Sequence, residues 1–548
     1  MSQRQRRRRN QRRRQSERRG PSRRQVATGA TIALGTTLAA GGSAQAATIT
    51  VTNLNDTGDG SLRQALTTAN TDPGSDDIVF ASGLTGTINV GTDSNYGLYA
   101  DTSMNVQGDG RITLQGGPNV DYVFYTGSGG STDPVPITLS GLTITGGDAT
   151  GKHVFTKYTD GGGIRNLNAA LTVSDSVITN NYAEDDGGGI YSYTGPVKIV
   201  DSTLSGNRSG DPADGNAYGG GVYSQESPVV VRNTTVSGNG SGGDGAGIYM
   251  SSRYYLEPPL TMENSTVANN TAGSGSGDDG GGIWLCCGDD DQSLSVKSST
   301  ITGNHVGGNS GFGGGLVLFD VPAANVSIQS SIIANNTGTV ANDIYSTYGG
   351  QLSFSLVKEL GADSTDTGNS FTNGGPNLIG VDPQLGPLAG NGGTTETEAP
   401  STGSPVIDAG ASQGLTSDQR GVLRPIDFPA IPNAAGGDGS DIGAVEISAS
   451  SAFKFGKLKR NKKKGTAQQV VVLPLPDAGS VTIKGKGLKS KTRRVTGAAK
   501  VKLPVIAKGN KRKGLNRTGK AKIKAKVIYN ATGSAAKTLK RKLKLLKS

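Results

Sequence analysis

Between Asp160 and Tyr345 one unit is written six times: a glycine triplet, an aliphatic residue, two short alternating segments and a closing Asn. The units start at Gly161, Gly187, Gly219, Gly245 (as Gly-Ala-Gly), Gly280 and Gly313. They close at Asn181, Asn207, Asn239, Asn270, Asn304 and Asn336. Successive starts lie 26 to 35 residues apart. A period of that length without helical patterning means stacked β turns, because a single unit cannot bury its apolar face alone.

Aligned on Asn, the units resolve into columns. One holds Leu171, Val197, Val229, Leu260, Leu294 and Val326. The next holds Val173, Ile199, Val231, Met262, Val296 and Ile328. Beyond Ser176, Ser202, Thr234, Ser265, Ser299 and Ser331 come Ile178, Leu204, Val236, Val267, Ile301 and Ile333. Apolar residues alternating with polar ones mark strands, and the Ser/Thr column marks a kink between two faces of a coil. Coils stacked at about 4.8 Å set like residues over like, so each apolar column becomes part of a dry core. The Asn column suits a corner with left-handed backbone and an amide that bonds its neighbour one coil away. Chain handedness favours a right-handed coil of parallel strands. The Gly-to-Asn segment is 20 residues in three units, then 25, 24 and 23, while the Asn-to-Gly connection runs 6, 12, 6, 10 and 9. Insertions gathered at one edge suggest a binding surface there.

Charge divides the chain. Residues 1–46 carry twelve Arg and one Glu, and residues 452–548 carry thirty Lys and Arg against Asp477 alone. The stretch between them holds 13 basic and 42 acidic residues. The first segment reads as an export signal: an Arg-rich start, an apolar run from Val26 to Ala40, and Ala44-Gln45-Ala46 for cleavage near Ala46. Ser22-Arg23-Arg24-Gln25 resembles a twin-arginine motif but is followed by Val26-Ala27, so Tat and Sec export both stay open. No later stretch approaches the roughly 18 apolar residues of a membrane span.

The glycine-triplet and Ser-x-Ile-x-x-Asn pattern resembles the right-handed parallel β-helix repeats of polymorphic outer-membrane-type surface proteins and pectate-lyase-like folds. Gly60-Ser61-Leu62-Arg63-Gln64-Ala65-Leu66 resembles the N-terminal cap of such exported proteins, an amphipathic turn covering the first coil. Asp382-Pro383-Gln384-Leu385-Gly386, Asp408-Ala409-Gly410, Asp418-Gln419-Arg420-Gly421, Arg424-Pro425 and Asp441-Ile442-Gly443-Ala444-Val445-Glu446 resemble the choice-of-anchor Q region. That resemblance implies surface attachment; read as residues alone, the region is a C-terminal cap. Residues past 451 alternate Lys with apolar residues over about seven short segments, as in an Ig-like sandwich, and resemble lysine-rich modules of actinobacterial secreted proteins. The expected fold is all-β: a right-handed parallel β-helix solenoid followed by a small Ig-like β-sandwich. Its parts are 1–46 (signal), 47–138 (cap and first coils), 139–375 (repeats), 376–450 (choice-of-anchor Q-like) and 451–548 (sandwich).

Candidate chemistry is thin. Acids precede the glycine triplets: Asp160, Asp185, Asp186, Asp244, Asp278 and Asp279, with Asp289 and Asp290 nearby. They suit solvated turns; Asp278, Asp279, Asp289 and Asp290 could bind Ca²⁺, and Asp160, Asp185, Asp186 or Asp279 could supply a carboxylate pair for glycoside cleavage. No motif requires a cofactor. Lyases of this fold need a base, for which Arg165, Lys152 and Lys157 stand near Asp160. After the triplet aliphatic of four consecutive units come Tyr191, Tyr223, Tyr249 and Trp284, then Val317, which alternation points outward; Tyr254 and Tyr255 extend the set. Such rings either contact glycan as an open stripe or stack on one another as a ladder. Cys286 and Cys287, the two cysteines, form a vicinal disulfide or remain two buried thiols. The expected protein is an extracellular or cell-surface monomer that binds polysaccharide or an anionic envelope polymer without turnover. The alternatives are a polysaccharide lyase or glycoside hydrolase, and a structural spacer. Sequence-specific nucleic-acid binding is not expected, because no base-reading motif is present.

Overall fold

The computed structural model describes residues 46–548 except 73, 93–95, 119, 152–157, 212–214, 253–257, 274–278, 287–291, 308–310, 341, 363–370, 430, 449–452, 474–478, 496–499 and 532–535. The chain is all-β, and its main body is a parallel β-helix in which each repeat makes one coil. The coil entered at Gly187 has four short strands, Ile190–Tyr193, Val197–Val200, Thr203–Ser205 and Arg208–Ser209. Sequence reading had separated only two faces by a kink. Equivalent strands pair in parallel and in the register of the columns: Leu171 with Val197, Val197 with Val229, Val229 with Leu260 and Leu260 with Leu294. Apolar columns therefore fuse into one core from Val51 to Val357.

Each corner is set by backbone chemistry. Positive φ falls just before the Ser/Thr column, at Asp175, Asp201, Asn233, Asn264, Ser298 and Ser330. It falls again just before the Asn column, at Asn180, Gly206, Gly238, Asn269, Gly303 and Asn335. The left-handed position is thus one residue earlier than expected. It goes to residues that tolerate it, which leaves the buried Asn free to turn its amide inward. The amides do form a ladder: Asn181 Nδ2 donates to Asn207 Oδ1 (2.9 Å), Asn207 to Asn239 (3.0 Å), Asn239 to Asn270 (2.9 Å), Asn270 to Asn304 (2.8 Å) and Asn304 to Asn336 (2.9 Å). Asn336 ends it on Asp343 Oδ1. A second ladder runs at the kink, where the backbone N–H of Ser202, for example, donates to Thr234 Oγ1 at 3.3 Å. Close packing fixes the triplets: a Cβ on Gly188 would sit 2.3 Å from Arg208 O.

At the N-terminal end, helix Leu62–Ala69 starts on Ser61, whose side chain accepts from Gln64 N. Its buried Leu62, Ala65, Leu66 and Ala69 extend the core. At the other end, Lys454–Asn461, Thr466–Val472 and Lys500–Val505 form one antiparallel sheet. Gly479–Lys484, Lys491–Val495, Lys520–Ala531 and Lys537–Leu546 form a second. Seven strands enclose their own core, and a helix absent from the sequence reading, Gly509–Thr518, adds Leu515 to it.

Residues 385–447 do not simply cap the coil end, as expected. They form a strap along the outer face of the third strands. Gln419 accepts from Thr266 Oγ1 (2.6 Å) and donates to Thr235 Oγ1 (2.9 Å); Ala444 N donates to Thr300 Oγ1 (3.1 Å). Val406 and Ile442 pack on Ile332 and Leu356, so the strap buries an outward column that alternation alone would leave wet.

Candidate functional site

The outward column of the first strands runs in register Tyr99, Tyr125, Arg165, Tyr191, Tyr223, Tyr249, Trp284, Val317 and Tyr345. The rings are stacked: Tyr191 on Tyr223 at 5.2 Å and 2°, Tyr223 on Tyr249 at 5.2 Å and 5°, Tyr249 on Trp284 at 4.6 Å and 6°. Of the two arrangements left open by the sequence, the rings form the stacked ladder, and the open glycan stripe of Tyr191, Tyr223, Tyr249 and Trp284 is corrected. Tyr191 is 0% exposed, Tyr223 4%, and Tyr249 and Trp284 8% each. Part of the cover is a second layer of rings. Where the residue before the glycine triplet is aromatic, it folds over the ladder: Tyr218 stacks on Tyr249 (4.8 Å) and Phe312 lies tilted by 34° against Tyr345 (4.4 Å). Burial raises the Tyr249 phenol well above its ordinary pKa. Tyr254 and Tyr255 lie outside the described residues.

Arg165 replaces one ring. Its guanidinium lies over Tyr158 (4.5 Å) and Tyr191 (5.2 Å) and pairs with Asp160 Oδ2 at 3.3 Å. Burial pulls its pKa down, but Asp160 and the tyrosines more than offset that, so it stays charged and is no base. Lys152 and Lys157 lie outside the described residues.

In the same position before the triplets, the acids satisfy backbone. Asp160 Oδ1 accepts from Asp186 N (3.3 Å), Asp186 Oδ1 from Tyr218 N (2.9 Å), Asp244 Oδ1 from Asp279 N (2.9 Å) and Asp279 Oδ1 from Phe312 N (2.7 Å). Each carboxylate thus accepts an N–H from one coil further on. The reading of these acids as solvated turns is corrected for Asp160 and Asp186, which are buried. Asp185 Oδ2 accepts from Thr159 Oγ1. Among the described residues no group of three or more His, Cys, Asp or Glu could hold a metal ion. Asp278, Asp289 and Asp290 fall outside them. Cys286 is buried and disulfide-bonded, which favours the disulfide over thiols; Cys287 is not among the described residues.

Two charged groups that the sequence names by residue are drawn together in ways it does not show. The first lies in the strap, where the choice-of-anchor Q-like residues hold one another. Glu446 pairs with Arg424 (3.1 Å) and accepts from Ile426 N and Asp441 N; Asp441 accepts from Asp408 N and Ile447 N; Asp418 pairs with Arg420 (2.7 Å) and accepts from Glu446 N. Burial pushes Asp408 and Asp441 to about 7 and, with Asp441 beside it, Glu446 to about 8. All three side chains are fully buried, so the cluster fixes the strap rather than meeting a substrate.

The second is on the sandwich. Strands Lys520–Ala531 and Lys537–Leu546 set Lys522 opposite Lys544, Lys524 opposite Lys542 and Lys526 opposite Lys540. Lys522, Lys524, Lys542 and Lys544 line a cleft of about 930 Å³ together with Lys486, Lys508 and Lys511. All seven are exposed, and among the described residues none has a carboxylate partner. Like charges directly opposite destabilise a sheet, so the opposed lysines cost this face stability. The alternation of Lys with apolar residues signalled the strands; it could not show which lysines face one another.

A family model described as the right handed beta helix region matches residues 123–315. The chain is a right-handed parallel β-helix solenoid. The crystal structure of pectate lyase Pel9A is similar over 73% of this chain and 96% of that one, at 14% identity and a TM-score of 0.42. A search of curated proteins found no match. Among the described residues no helix is long and apolar enough to cross a membrane.

Proposed function

We propose that this is an exported, cell-surface β-helix protein that binds an envelope or extracellular polymer and does not turn it over. The observation that carries the reading is the division of charged groups. Acids of the solenoid accept backbone N–H groups of the next coil, and its rings stack inside a two-layer seam. A catalytic pair would depart from the repeat, whereas these acids recur with it. Among the described residues, the lysine face of the sandwich gathers exposed cations that have no carboxylate partner, which favours an anionic polymer over a neutral glycan. The export signal read near Ala46 supports the surface placement.

The test is an array of neutral and anionic polysaccharides and polyol phosphates, run beside a lyase and hydrolase assay with and without Ca²⁺. Retention of anionic polymers without new reducing or unsaturated ends is expected. Release of either kind of end, or retention of neutral glycans only, would overturn the reading.

A further inference from the structure

We propose that the lysine-lined cleft of the C-terminal sandwich binds a linear phosphodiester polymer that carries no aromatic bases; this rests on the polymer-binding reading above. Four of its lysines come from two antiparallel strands, with Lys522 opposite Lys544 and Lys524 opposite Lys542. Alternate residues on a strand are about 6.8 Å apart, so each strand offers positive charge at that step. An extended polyol phosphate, with three carbons and two ester oxygens between phosphorus atoms, presents anions at a comparable step. Duplex nucleic acid is far denser in charge, at about one per 1.7 Å of axis.

The far wall adds Lys508 and the first turn of helix Gly509–Thr518. Lys508 makes no side-chain cap bond, and Gly509, Asn510 and Lys511 line the cleft. First-turn N–H groups lack intrahelical acceptors, and the helix dipole favours an anion beside them. Chemistry narrows the ligand further. The charged lining is lysine throughout, which acts on phosphate as a mobile point charge. The cleft lining holds no aromatic residue, so neither bases nor sugar faces find a stacking surface.

The full chain is titrated with poly(glycerol phosphate) across about a tenfold range of salt. At roughly −0.7 per contact, seven lysines give a slope of log affinity against log salt of about −5. In the variant with Lys522, Lys524, Lys542 and Lys544 each changed to Gln, the slope becomes shallower by about 3 and affinity at low salt drops more than tenfold. A control with Lys459, Lys462, Lys463 and Lys464 changed to Gln loses the same charge from exposed positions and keeps the steep slope. Both retain the Arg-rich N-terminal segment, so its contribution cancels. Changing the four cleft lysines to Arg keeps binding. The Gln variant melts no lower than the parent, because cross-strand repulsion is relieved.

Equal losses in the two Gln variants would overturn the proposal. So would equal or tighter binding of polygalacturonate or oligo(dT) at matched charge, or polymer-independent self-association at low salt that the cleft variant abolishes. Polygalacturonate binding without poly(glycerol phosphate) binding sinks this inference alone; binding of no polymer sinks the functional reading with it.

Discussion

Replacing Asn239 with Ala cuts the amide ladder at its middle. The Asn239 side chain accepts from Asn207 N and Nδ2, both at 3.0 Å, and donates to Leu204 O (3.1 Å) and Asn270 Oδ1 (2.9 Å). Two partners keep other bonds: Asn207 Nδ2 still donates to Ile178 O, and Asn270 Oδ1 still accepts from Asn239 N. The Asn207 N–H loses its acceptor in a site that is 1% exposed, whereas Leu204, paired with Val236 in the parallel ladder, keeps its carbonyl bonded to the next coil. A buried polar group left without a partner costs about 1–3 kcal/mol, which is the loss expected here. A solenoid feels such damage locally, since each coil contacts mainly its neighbours. Guanidinium denaturation should show the loss, and hydrogen exchange should show the Asn207 amide deprotected while the sandwich amides are unchanged. Asn335→Gly, at an exposed corner with φ of 62°, should change stability by about 0.5 kcal/mol or less. A loss for Asn239→Ala below about 1 kcal/mol, with Asn207 still protected, would refute the ladder's role.

Three further outcomes are expected. Arg165→Met leaves Asp160 buried without its cation and should cost about 3–5 kcal/mol by chemical denaturation, whereas a catalytic Arg would spare stability. Tyr223→Ala opens a gap between Tyr191 and Tyr249 worth about 3–5 kcal/mol, yet should leave polymer affinity unchanged. In the strap, Asp408, Asp441 and Glu446 are raised to about 7, 7 and 8 from the usual carboxylate range near 4. The folded state therefore binds more protons than the unfolded one between about pH 4 and 8, so their contribution is complete below pH 4 and is lost as pH rises through 7–8. Exchange of the Ala444 and Glu446 amides should accelerate over that interval; slower exchange at pH 8 than at pH 5, after correction for intrinsic rates, would contradict the sign.

The apolar columns were legible because stacking sets like on like: alignment put Leu171 with Val197 before any coordinate did, and the register agrees. The outward direction of Tyr191, Tyr223, Tyr249 and Trp284 also followed from alternation. What covers them did not. Tyr218 and Phe312 sit where other units have Asp, and a substitution within a column looks like noise until it is seen lying over the next coil's ring. The strap was hidden for a related reason. Alternation points Thr235 and Thr266 outward without naming what meets them, and their partner Gln419 lies more than 150 residues away. The acids were misread because a carboxylate that accepts a backbone N–H and one that faces water have the same letter. The lysine cleft depends on cross-strand pairing, which composition does not encode.

Trp284 is the chain's one tryptophan, so its fluorescence reports the ring seam alone. With 8% exposure and Tyr249 stacked at 4.6 Å, it should emit at short wavelength, resist acrylamide and stay unchanged when saturating polysaccharide or polyol phosphate is added. Long-wavelength emission that acrylamide quenches freely and polysaccharide shifts would mean the rings form an open binding stripe, and would contradict the internal seam on which this account rests.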